Sequence, residues 1–185
     1  MPPTASIYLR LTDYNGKVLT ADGTTIDGKN LDSNTFDVNN PQFTQVLTYS
    51  ASVEQTLNIG SQSTGAGAGK ITFNPFAITR YLDAMSPLLL QASASGTPYK
   101  TAEIFFVSTQ NTILSKQTYK LVAVKTAAWA ADGGSAVVET ITFEYGGMVM
   151  TINKQNPDGK PNGVSQTGWN RIKNVLDNSL DTLIK

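Results

Sequence analysis

The side chains that most often perform catalysis or bind transition metals are missing from this chain of 185 residues. The sequence contains no histidine and no cysteine. It therefore lacks the usual general base, the thiolate nucleophile and the nitrogen and sulfur ligands of metal sites. Any catalysis would have to use carboxylates, lysine or tyrosine. We expect a protein that is not an enzyme, with no catalytic residue, cofactor or metal site.

Carboxylates are the remaining candidates for acid and base chemistry. Two facing carboxylates could hydrolyse a glycosidic bond, and the strand-like segments carry Glu103, Glu139 and Glu144. On strands with alternating faces, outward glutamates keep a surface soluble, and nothing in the spacing pairs these three. A second acidic group lacks the spacing and the bidentate glutamate of a calcium loop; its members are Asp22, Asp27, Asp32 and Asp37. We interpret both groups as solvated surface carboxylates.

A glycine-rich stretch, Gly65 to Gly69 followed by Lys70, invites comparison with a phosphate-binding loop. The spacing does not fit, since Thr64 stands where the first glycine is required and Ile71 where a serine or threonine would bind magnesium. Lys70 also occupies the third glycine position of a dinucleotide fingerprint. These mismatches argue against nucleotide binding.

The remaining composition indicates neither a nucleic-acid partner nor a membrane. Lysine plus arginine equals aspartate plus glutamate at 14 each, so the charge balance does not favour a polyanion. No apolar run reaches the length of a membrane span, and the first residues lack the features of a signal peptide. We expect synthesis in the cytoplasm and, if the protein is secreted, export without a cleaved leader. Trp129 and Trp169 could stack on sugars, although tryptophans more often anchor a core or an interface.

The stretch from Gly69 to Gly96 organises the elements that position these residues. A β-branched run interrupted by Pro75 predicts two strands joined at an edge or a bulge, because proline cannot donate to a ladder. Ser86 as N-cap, Pro87 at the first helical position and the final glycine predict a helix over about residues 87–95. Two helical turns are marginal alone, so some of its leucines at 88–90 must pack on a sheet.

Three segments before and after this stretch predict antiparallel strands. Residues 6–11 followed by Asn15-Gly16 predict a strand and a two-residue hairpin. Residues 43–57 alternate over an unusually long run, which predicts one long strand with one buried face. Residues 101–109 are apolar on both faces, which predicts a strand covered on both sides, with the helix as the candidate cover.

The second half of the chain adds further strands. Residues 117–130 and 136–145 predict two more, and Gly146-Gly147 is expected to separate the latter from another short strand. So many strands joined by short turns predict a mainly β fold, either a small antiparallel β-barrel or a two-sheet sandwich, with one short flanking helix. The length of the chain indicates a single domain.

Two loops and the C-terminal tail are less regular. Residues 21–41 predict a long loop that either contacts a partner or is a solvated excursion. Residues 58–69 predict a flexible connector, and 154–168 a turn-rich tail. A C-terminal helix, docked on its own barrel or presented to a neighbouring subunit, is predicted by the helical spacing of Ile172, Val175, Leu176, Leu180, Leu183 and Ile184. Residues 169–175 could instead form a last strand.

Several segments, in order, resemble the haemolysin-coregulated protein (Hcp) family, the inner-tube protein of the type VI secretion system. The corner ITRYLDAMSPLL at 78–89 is similar to the family's pattern of Thr-Lys, an apolar-Asp pair, Ser-Pro and an apolar helix. QVLTYSASVEQ resembles its long strand, TAEIFF the strand after the helix, and YKLVAV with VVETITFEY its closing hairpin. TGW at 167–169 resembles the end of the pattern. The resemblance covers about residues 6–170, with Arg80 in place of the usual lysine.

The resemblance implies a β-barrel that forms hexameric rings, which stack into a hollow tube. A contractile sheath would propel this tube outward with a spike, and effectors would travel in its lumen. The implied partners are copies of the chain, sheath and spike proteins and secreted effectors. The domain core is expected over about residues 5–170, with 171–185 as an extension. Alternatives are a phage-type tail tube protein, which is mechanically equivalent, and a carbohydrate-binding β-sandwich.

Overall fold

The computed structural model describes residues 5–28, 35–56, 70–156 and 161–183. Within them the chain is mainly β, with one α-helix, α1 (Ser86–Ser95), and a 3-10 turn at Asp181–Leu183. The strands are β1 (Ala5–Thr12), β2 (Lys17–Leu19), β3 (Thr25–Asp27), β4 (Thr44–Val46), β5 (Thr48–Ser50), β6 (Val53–Gln55), β7 (Ile71–Phe73), β8 (Phe76–Tyr81), β9 (Tyr99–Ser108), β10 (Ile113–Ala130), β11 (Val138–Gln155), β12 (Pro161–Asn170) and β13 (Val175–Leu176). The mainly β prediction is confirmed.

The strands close into an antiparallel barrel. β1, β9, β10, β11, β8 and β5 follow one another as hydrogen-bonded neighbours. Leu47 joins β5 to β4, which pairs with β1. The backbone N–H of Leu47 donates to the Thr79 carbonyl at 2.7 Å, so the junction stays attached to the sheet. The path returns to β1, which confirms the predicted barrel.

β11 connects the barrel to a sheet that continues beyond it. Its first half, Val138–Phe143, pairs with β8, and its second half pairs with β12. On the other side it pairs with β10 along both halves. β2 and β3 extend the sheet from the end of β1. Among the described strands, β6 and β7 pair only with each other, as a separate two-stranded ribbon.

The main core fills the barrel and includes the buried face of α1. Leu89 is fully buried, while Leu90 is 47% exposed, so one face of the helix packs inward as predicted. Burial of Leu89 contributes roughly 1.5–3 kcal/mol. The helix ends at Gly96, whose φ of +68° is the predicted left-handed cap. Ser86 is not the N-cap, however; the helix begins at Ser86 and Met85 occupies the cap position without a side-chain hydrogen bond.

Two local predictions around turns are confirmed in part. A hairpin containing Asn15-Gly16 joins β1 to β2, with the Asp13 N–H donating to the Lys17 carbonyl at 2.8 Å and Gly16 at φ +77°. Its loop has three residues, 14–16, rather than the predicted two. Pro75 lies between β7 and β8, which belong to different sheets. At this position the absent N–H interrupts neither ladder.

β9 is covered on both faces, but not in the predicted way. Its inward residues join the barrel core, and its outward residues Phe105 and Val107 belong to a second apolar cluster. That cluster is covered by residues 35–43 through Phe36 and Phe43, whose rings lie 4.8 Å apart. The Phe43 ring meets Phe105 edge-on at 5.1 Å. The outer cover is therefore the end of the predicted loop rather than the helix.

The predicted long strand over 43–57 is wrong. The segment forms three short strands that change partner: β4 pairs with β1, β5 with β8 and β6 with β7. Thr44 and Val46 are buried, whereas Leu47 is 39% exposed, so a single buried parity does not persist. The alternation of apolar and polar residues does not show where a strand changes its pairing partner. The pattern over 43–57 therefore indicated one continuous strand.

Gly146-Gly147 does not break its strand, contrary to the prediction. Pairing continues from Val122 opposite Tyr145 to Lys120 opposite Gly147. The glycine is needed for packing, because a Cβ on Gly147 would lie 2.5 Å from Leu183 Cδ1 and 2.8 Å from Leu180 Cδ2. The C-terminal segment therefore packs directly on the backbone of β11.

In place of the predicted C-terminal helix, residues 171–183 form a turn, β13 and the 3-10 turn. Asn174 and Leu180 have φ of +54° and +55°, which a right-handed helix does not allow. The Asn170 side chain accepts the Lys173 N–H at 3.0 Å, and Asp177 accepts that of Leu180 at 2.8 Å. Such local side-chain bonds compete with helix formation. Ile184 lies outside the described residues.

The expected connector and tail are only partly described. The connector 58–69 lies outside the described residues. The predicted turn-rich tail at 154–168 is largely strand, because β11 extends to Gln155 and β12 begins at Pro161. Residues 157–160 between them are also outside the described part. The alternative last strand over 169–175 is present only at its two ends. Trp169 and Asn170 end β12, Val175 begins β13, and residues 171–174 between them form a turn.

Candidate assembly surfaces

Glu103 is buried rather than solvated. It is 7% exposed and lies between Arg10 and Lys116 on the outer side of the β1–β9–β10 sheet. Arg10 Nε donates to Glu103 Oε2 at 2.6 Å, and its Nη1 donates to Gln42 Oε1 at 2.8 Å. Both cations also lie over the Phe105 ring at under 6 Å. This carboxylate balances two cations and helps attach the 35–43 segment.

Glu139 is fully buried beside the start of α1. Its Oε1 lies 3.3 Å from Arg80 Nε and accepts the Ser86 hydroxyl at 2.9 Å. Arg80, 1% exposed, also contacts Asp83 and the Met85 sulfur. Ser86 Oγ in turn accepts the Asp83 N–H at 3.2 Å. The surface prediction is wrong here too, and the pair instead fixes the corner between β8 and the helix.

Glu144 is the most exposed of the three glutamates, and it also has a partner. Arg171 contacts its carboxylate and donates to the Tyr145 carbonyl at 2.5 Å. The guanidinium carbon lies 4.4 Å from the centre of the Tyr145 ring. The three glutamates sit in three separate ion pairs, so no pair of them faces a common substrate.

Two of the predicted loop carboxylates, Asp22 and Asp37, stabilise turns, while Asp27 ends β3. Asp22 accepts the hydroxyls of Thr20 and Thr24, and these hydrogen bonds, that of Thr20 foremost, lower its pKa to about 2. Asp37 accepts the Asn39 N–H at 2.9 Å. Among the described residues, no group of three or more acidic side chains is placed to hold a metal ion. Asp32 and Gly65 to Gly69 lie outside the described part of the chain.

Tyrosine hydroxyls meet inside the barrel. The Tyr49 hydroxyl contacts both the Tyr119 hydroxyl and the Gln117 side chain. The Tyr119 hydroxyl also donates to Gln117 Oε1 at 3.0 Å. Burial raises the pKa of Tyr49 to about 12 and also raises that of Tyr119. These phenols stay protonated and hydrogen-bonded, which suits a core network rather than a base.

An open apolar groove lies between the β6–β7 ribbon and the β11–β12 sheet. It measures ≈ 240 Å³. Its apolar lining consists of Val53, Ile71, Phe73, Met148, Met150 and Trp169. The Phe73 and Trp169 rings stack at 6.4 Å, and Met150 is 38% exposed. We call these six residues the groove. Lys70 and Arg171 line the adjoining cavity, which shares Ile71 and Phe73 with it.

A second exposed apolar surface lies where β11 begins. Leu82 and Trp129 are 44% and 47% exposed, and we call them the rim. Tyr81, 56% exposed, lies in a neighbouring cross-strand row, on the opposite face of the sheet from Trp129. Tyr81 pairs with Val138, the Leu82 N–H donates to the Val137 carbonyl at 3.0 Å, and Trp129 pairs with Glu139. The rim therefore borders the buried Arg80–Glu139 corner. Sequence reasoning used this corner as a motif but did not identify its exposed side chains.

The outer face of β10, β11, β8 and β5 carries no charged side chain over three cross-strand rows. The rows are Thr126, Thr142, Ala77 and Ser50; Ala128, Thr140, Thr79 and Thr48; and Ala130, Val138 and Tyr81. Thr48 and Thr79 share a hydrogen bond of 2.6 Å between their hydroxyls. Small uncharged residues across adjacent strands make a face on which another surface can lie closely. The sequence shows the threonines of each strand, but it does not show that they align across the strands.

The fold and these surfaces define an antiparallel β-barrel protein that has exposed apolar surfaces and uses its strand carboxylates in ion pairs. The family model described as "Type VI secretion system effector, Hcp" matches residues 9–152, which include nearly the whole closed barrel. The chain therefore belongs to the Hcp family of type VI secretion systems. No helix in the described ranges is long and apolar enough to cross a membrane.

Solved structures share the fold at low identity. A structure described as a type six secretion system protein is 21% identical with a TM-score of 0.75, covering 94% of this chain and 100% of that chain. Hcp1 from Salmonella typhimurium is 18% identical with a TM-score of 0.66, covering 94% and 99%. The secreted protein Hcp3 from Pseudomonas aeruginosa is 19% identical with a TM-score of 0.56, covering 88% and 97%. A search of curated proteins found no match.

Proposed function

We propose that this chain is the subunit of a secretion tube. Copies form hexameric rings, the rings stack into a hollow tube, and a contractile sheath propels the tube outward with a spike. Effectors travel in the lumen, and the chain itself acts as a structural protein rather than an enzyme. Assembly takes place in the cytoplasm and secretion follows without a cleaved leader. The observation that carries this proposal is the family match over residues 9–152.

The surfaces of the barrel support self-assembly. A ring requires each copy to present two different surfaces that fit each other, and this chain has separate exposed apolar surfaces in the groove and the rim. The charge-free outer face can approach another protein wall without desolvating an ion. Large exposed apolar surfaces on a soluble domain usually mark contacts with other proteins.

The loop over residues 21–41 is proposed as the contact between rings. In its described part, Phe36 is buried in the second apolar cluster, while Val38 two residues later is 52% exposed. Phe36 therefore anchors the segment and presents Val38 outward. Val38→Lys should leave single rings intact and abolish their stacking, as seen by electron microscopy. Deleting the loop is a harsher test, because it removes Phe36 from the cluster. Tubes of normal length from V38K would count against this contact.

The proposal is tested by measuring the mass and shape of the purified chain. Light scattering after gel filtration should give a mass six times that of the chain, which is 19.8 kDa. Negative-stain microscopy should show rings with a central hole. A monomer at high concentration would refute the proposal. A phage-type tail tube would give the same particles and remains mechanically equivalent.

The placement of the tryptophans disfavours the carbohydrate-binding alternative. That alternative requires exposed, clustered aromatic platforms. Trp129 lies in the rim and pairs with Glu139 near the start of β11, whereas Trp169 pairs with Met148 toward its end. Trp169 also stacks on Phe73. The two rings therefore cannot hold one sugar between them.

A further inference from the structure

We propose that an open cavity beside α1 binds a small zwitterion with an aliphatic body, that is, a free aliphatic amino acid. The cavity lies between one face of the helix and the strands β2 and β3, and it measures ≈ 360 Å³. Pockets for small molecules typically measure roughly 300–1,000 Å³. All of its walls belong to one chain, so the site does not require self-assembly.

The helix and the strands give the cavity an apolar floor. Leu88, Gln91 and Ala92 line the cavity from α1, and their spacing of three and four residues places them on one face of the helix. Leu19 faces them from β2. Leu19 and Ala92 are 5% and 7% exposed, and Leu88 packs against the same core cluster. The floor is therefore the outer surface of the barrel core, and it suits an aliphatic side chain.

Two opposite charges stand at one edge of this floor. The ladder between β1 and β2 pairs Thr12 with Val18, so Asp13 lies opposite Lys17. The Asp13 N–H donates to the Lys17 carbonyl at 2.8 Å, which holds the two residues side by side. Residues opposite each other on antiparallel strands share a face, with Cβ atoms about 4.5–5.5 Å apart. An ammonium and a carboxylate attached to one ligand carbon can therefore reach both side chains.

The polar groups of the cavity are available to a ligand. Asp13 Oδ1 accepts the N–H groups of Asn15 and Lys17 at 2.8 Å, and its Oδ2 has no hydrogen-bond partner among the described residues. Within the same ranges, the Lys17 ammonium, the Gln91 amide and the Tyr99 hydroxyl make no hydrogen bond or ion pair. Burial raises the pKa of Tyr99 to about 12, and the negative charge of Asp13 adds to this shift. The phenol therefore stays protonated and can donate to a bound carboxylate.

The charges around the cavity balance, which disfavours a ligand of one sign. Asp13 and Lys17 are the charged residues of its described lining. Next to them on the neighbouring strands, Asp27 pairs with Lys17, and Lys100 follows Tyr99 on β9. The sequence of α1 contains no charged residue. Two carboxylates are therefore matched by two ammonium groups, and a zwitterion complements them better than a phosphate or a metal ion would.

Saturation-transfer difference NMR tests the site, because it observes the ligand and suits protein assemblies of any size. The probe is L-leucine, compared with glycine, isoamylamine and isocaproate, which lack the aliphatic body, the carboxylate and the ammonium respectively. Asp13→Asn keeps the turn acceptor at Oδ1 and Lys17→Met keeps the aliphatic stem, so each removes one charge. Gln91→Trp fills the cavity from an exposed helix position and keeps both charges. Asp37→Asn is the matched control, since Asp37 accepts the Asn39 N–H at 2.9 Å in a similar turn and does not line the cavity.

We expect L-leucine to bind with a millimolar dissociation constant, roughly fivefold more tightly than the amine or the acid and about tenfold or more over glycine. D13N and K17M should each weaken leucine binding roughly fivefold, Q91W should abolish it, and D37N should leave it unchanged. Circular dichroism and urea midpoints check that the variants fold. Equal binding of leucine and the two single-charge analogues, affinity retained in all three site variants, or the absence of saturable binding would each overturn the zwitterion site. None of these outcomes changes the mass of the assembly, which tests the proposed tube separately.

Discussion

Glu139→Ala should destabilise the protein far more than the same change at Glu144. In the wild type, Glu139 is fully buried, lies 3.3 Å from Arg80 and accepts the Ser86 hydroxyl at 2.9 Å. Removing one partner of a buried ion pair costs about 3–5 kcal/mol, because the other charge remains buried. Asp83 also contacts Arg80 and partly compensates it. We therefore expect a loss near the lower end, about 3 kcal/mol.

Urea unfolding followed by circular dichroism would measure this loss, at one fixed protein concentration because the proposed assembly would add stability. With a slope of about 2 kcal/mol per molar urea, the midpoint should fall by about 1.5 M. Glu144→Ala is the matched control: the Glu144 side chain is 42% exposed, so its pair with Arg171 should be worth no more than about 1 kcal/mol. Glu139→Gln keeps the side-chain volume and the hydrogen bond to Ser86. Its loss of stability should therefore lie between those of Glu139→Ala and Glu144→Ala.

A midpoint shift below about 0.5 M for Glu139→Ala, equivalent to about 1 kcal/mol, would refute this reasoning. It would mean that Arg80 finds solvent or another partner without cost. A shift as large for Glu144→Ala would contradict the distinction between the buried and the exposed pair. The comparison is sharp because the same residue type occupies both sites, five positions apart on β11.

Further predictions concern packing and pH. Gly147→Ala should cost about 1–3 kcal/mol through overpacking, because its Cβ would lie 2.5 Å from Leu183 Cδ1. Gly133→Ala, with no atom within 4 Å of the added carbon, should leave the urea midpoint unchanged; equal losses would contradict the packing argument. Burial raises the pKa of Tyr49 to about 12, from about 10 in the unfolded chain. The contribution of this protonated phenol to the free energy of unfolding should therefore be fully present below pH 10 and be lost as the pH rises toward 12. Urea midpoints at pH 9 to 11 would show this, and Tyr49→Phe should lose less stability over that range; an equal loss would contradict the assignment.

The sequence predicted the elements whose determinants are local. The Asn15-Gly16 hairpin depends on a positive φ at one glycine, and the end of α1 at Gly96 on another. Pro75 marked the change from β7 to β8 because a missing N–H excludes a ladder position. The order of motifs then identified the family that the match over residues 9–152 shows. In each case, the residue type alone limits what the backbone can do.

Two of the failures arise where a distant partner determines the outcome, and a third arises from local side-chain bonds. Residues 43–57 alternate evenly, yet they pair in turn with β1, β8 and β7. Gly147 looked like a strand break, although its role is to admit Leu180 and Leu183 from the C-terminal segment. The helical spacing of that segment is real but is overridden by a left-handed Asn174 and by side-chain bonds to the backbone. The strand partners and the two leucines are distant in sequence, whereas the side-chain bonds that replace the helix are local.

The same limit explains why the contact surfaces were not identified from the sequence. The set of alternate residues of β11 that faces the barrel changes at Gly146. Before it, the odd-numbered Phe143 and Tyr145 point into the barrel, and after it the even-numbered Met148 does so. Met150, two residues further on, therefore shares the inward face but lies past the edge of the core, where it is 38% exposed. A strand that leaves its barrel while keeping an apolar inward face leaves that face uncovered within the monomer. Burying such a face against another copy would be the direct physical route from this fold to the proposed assembly.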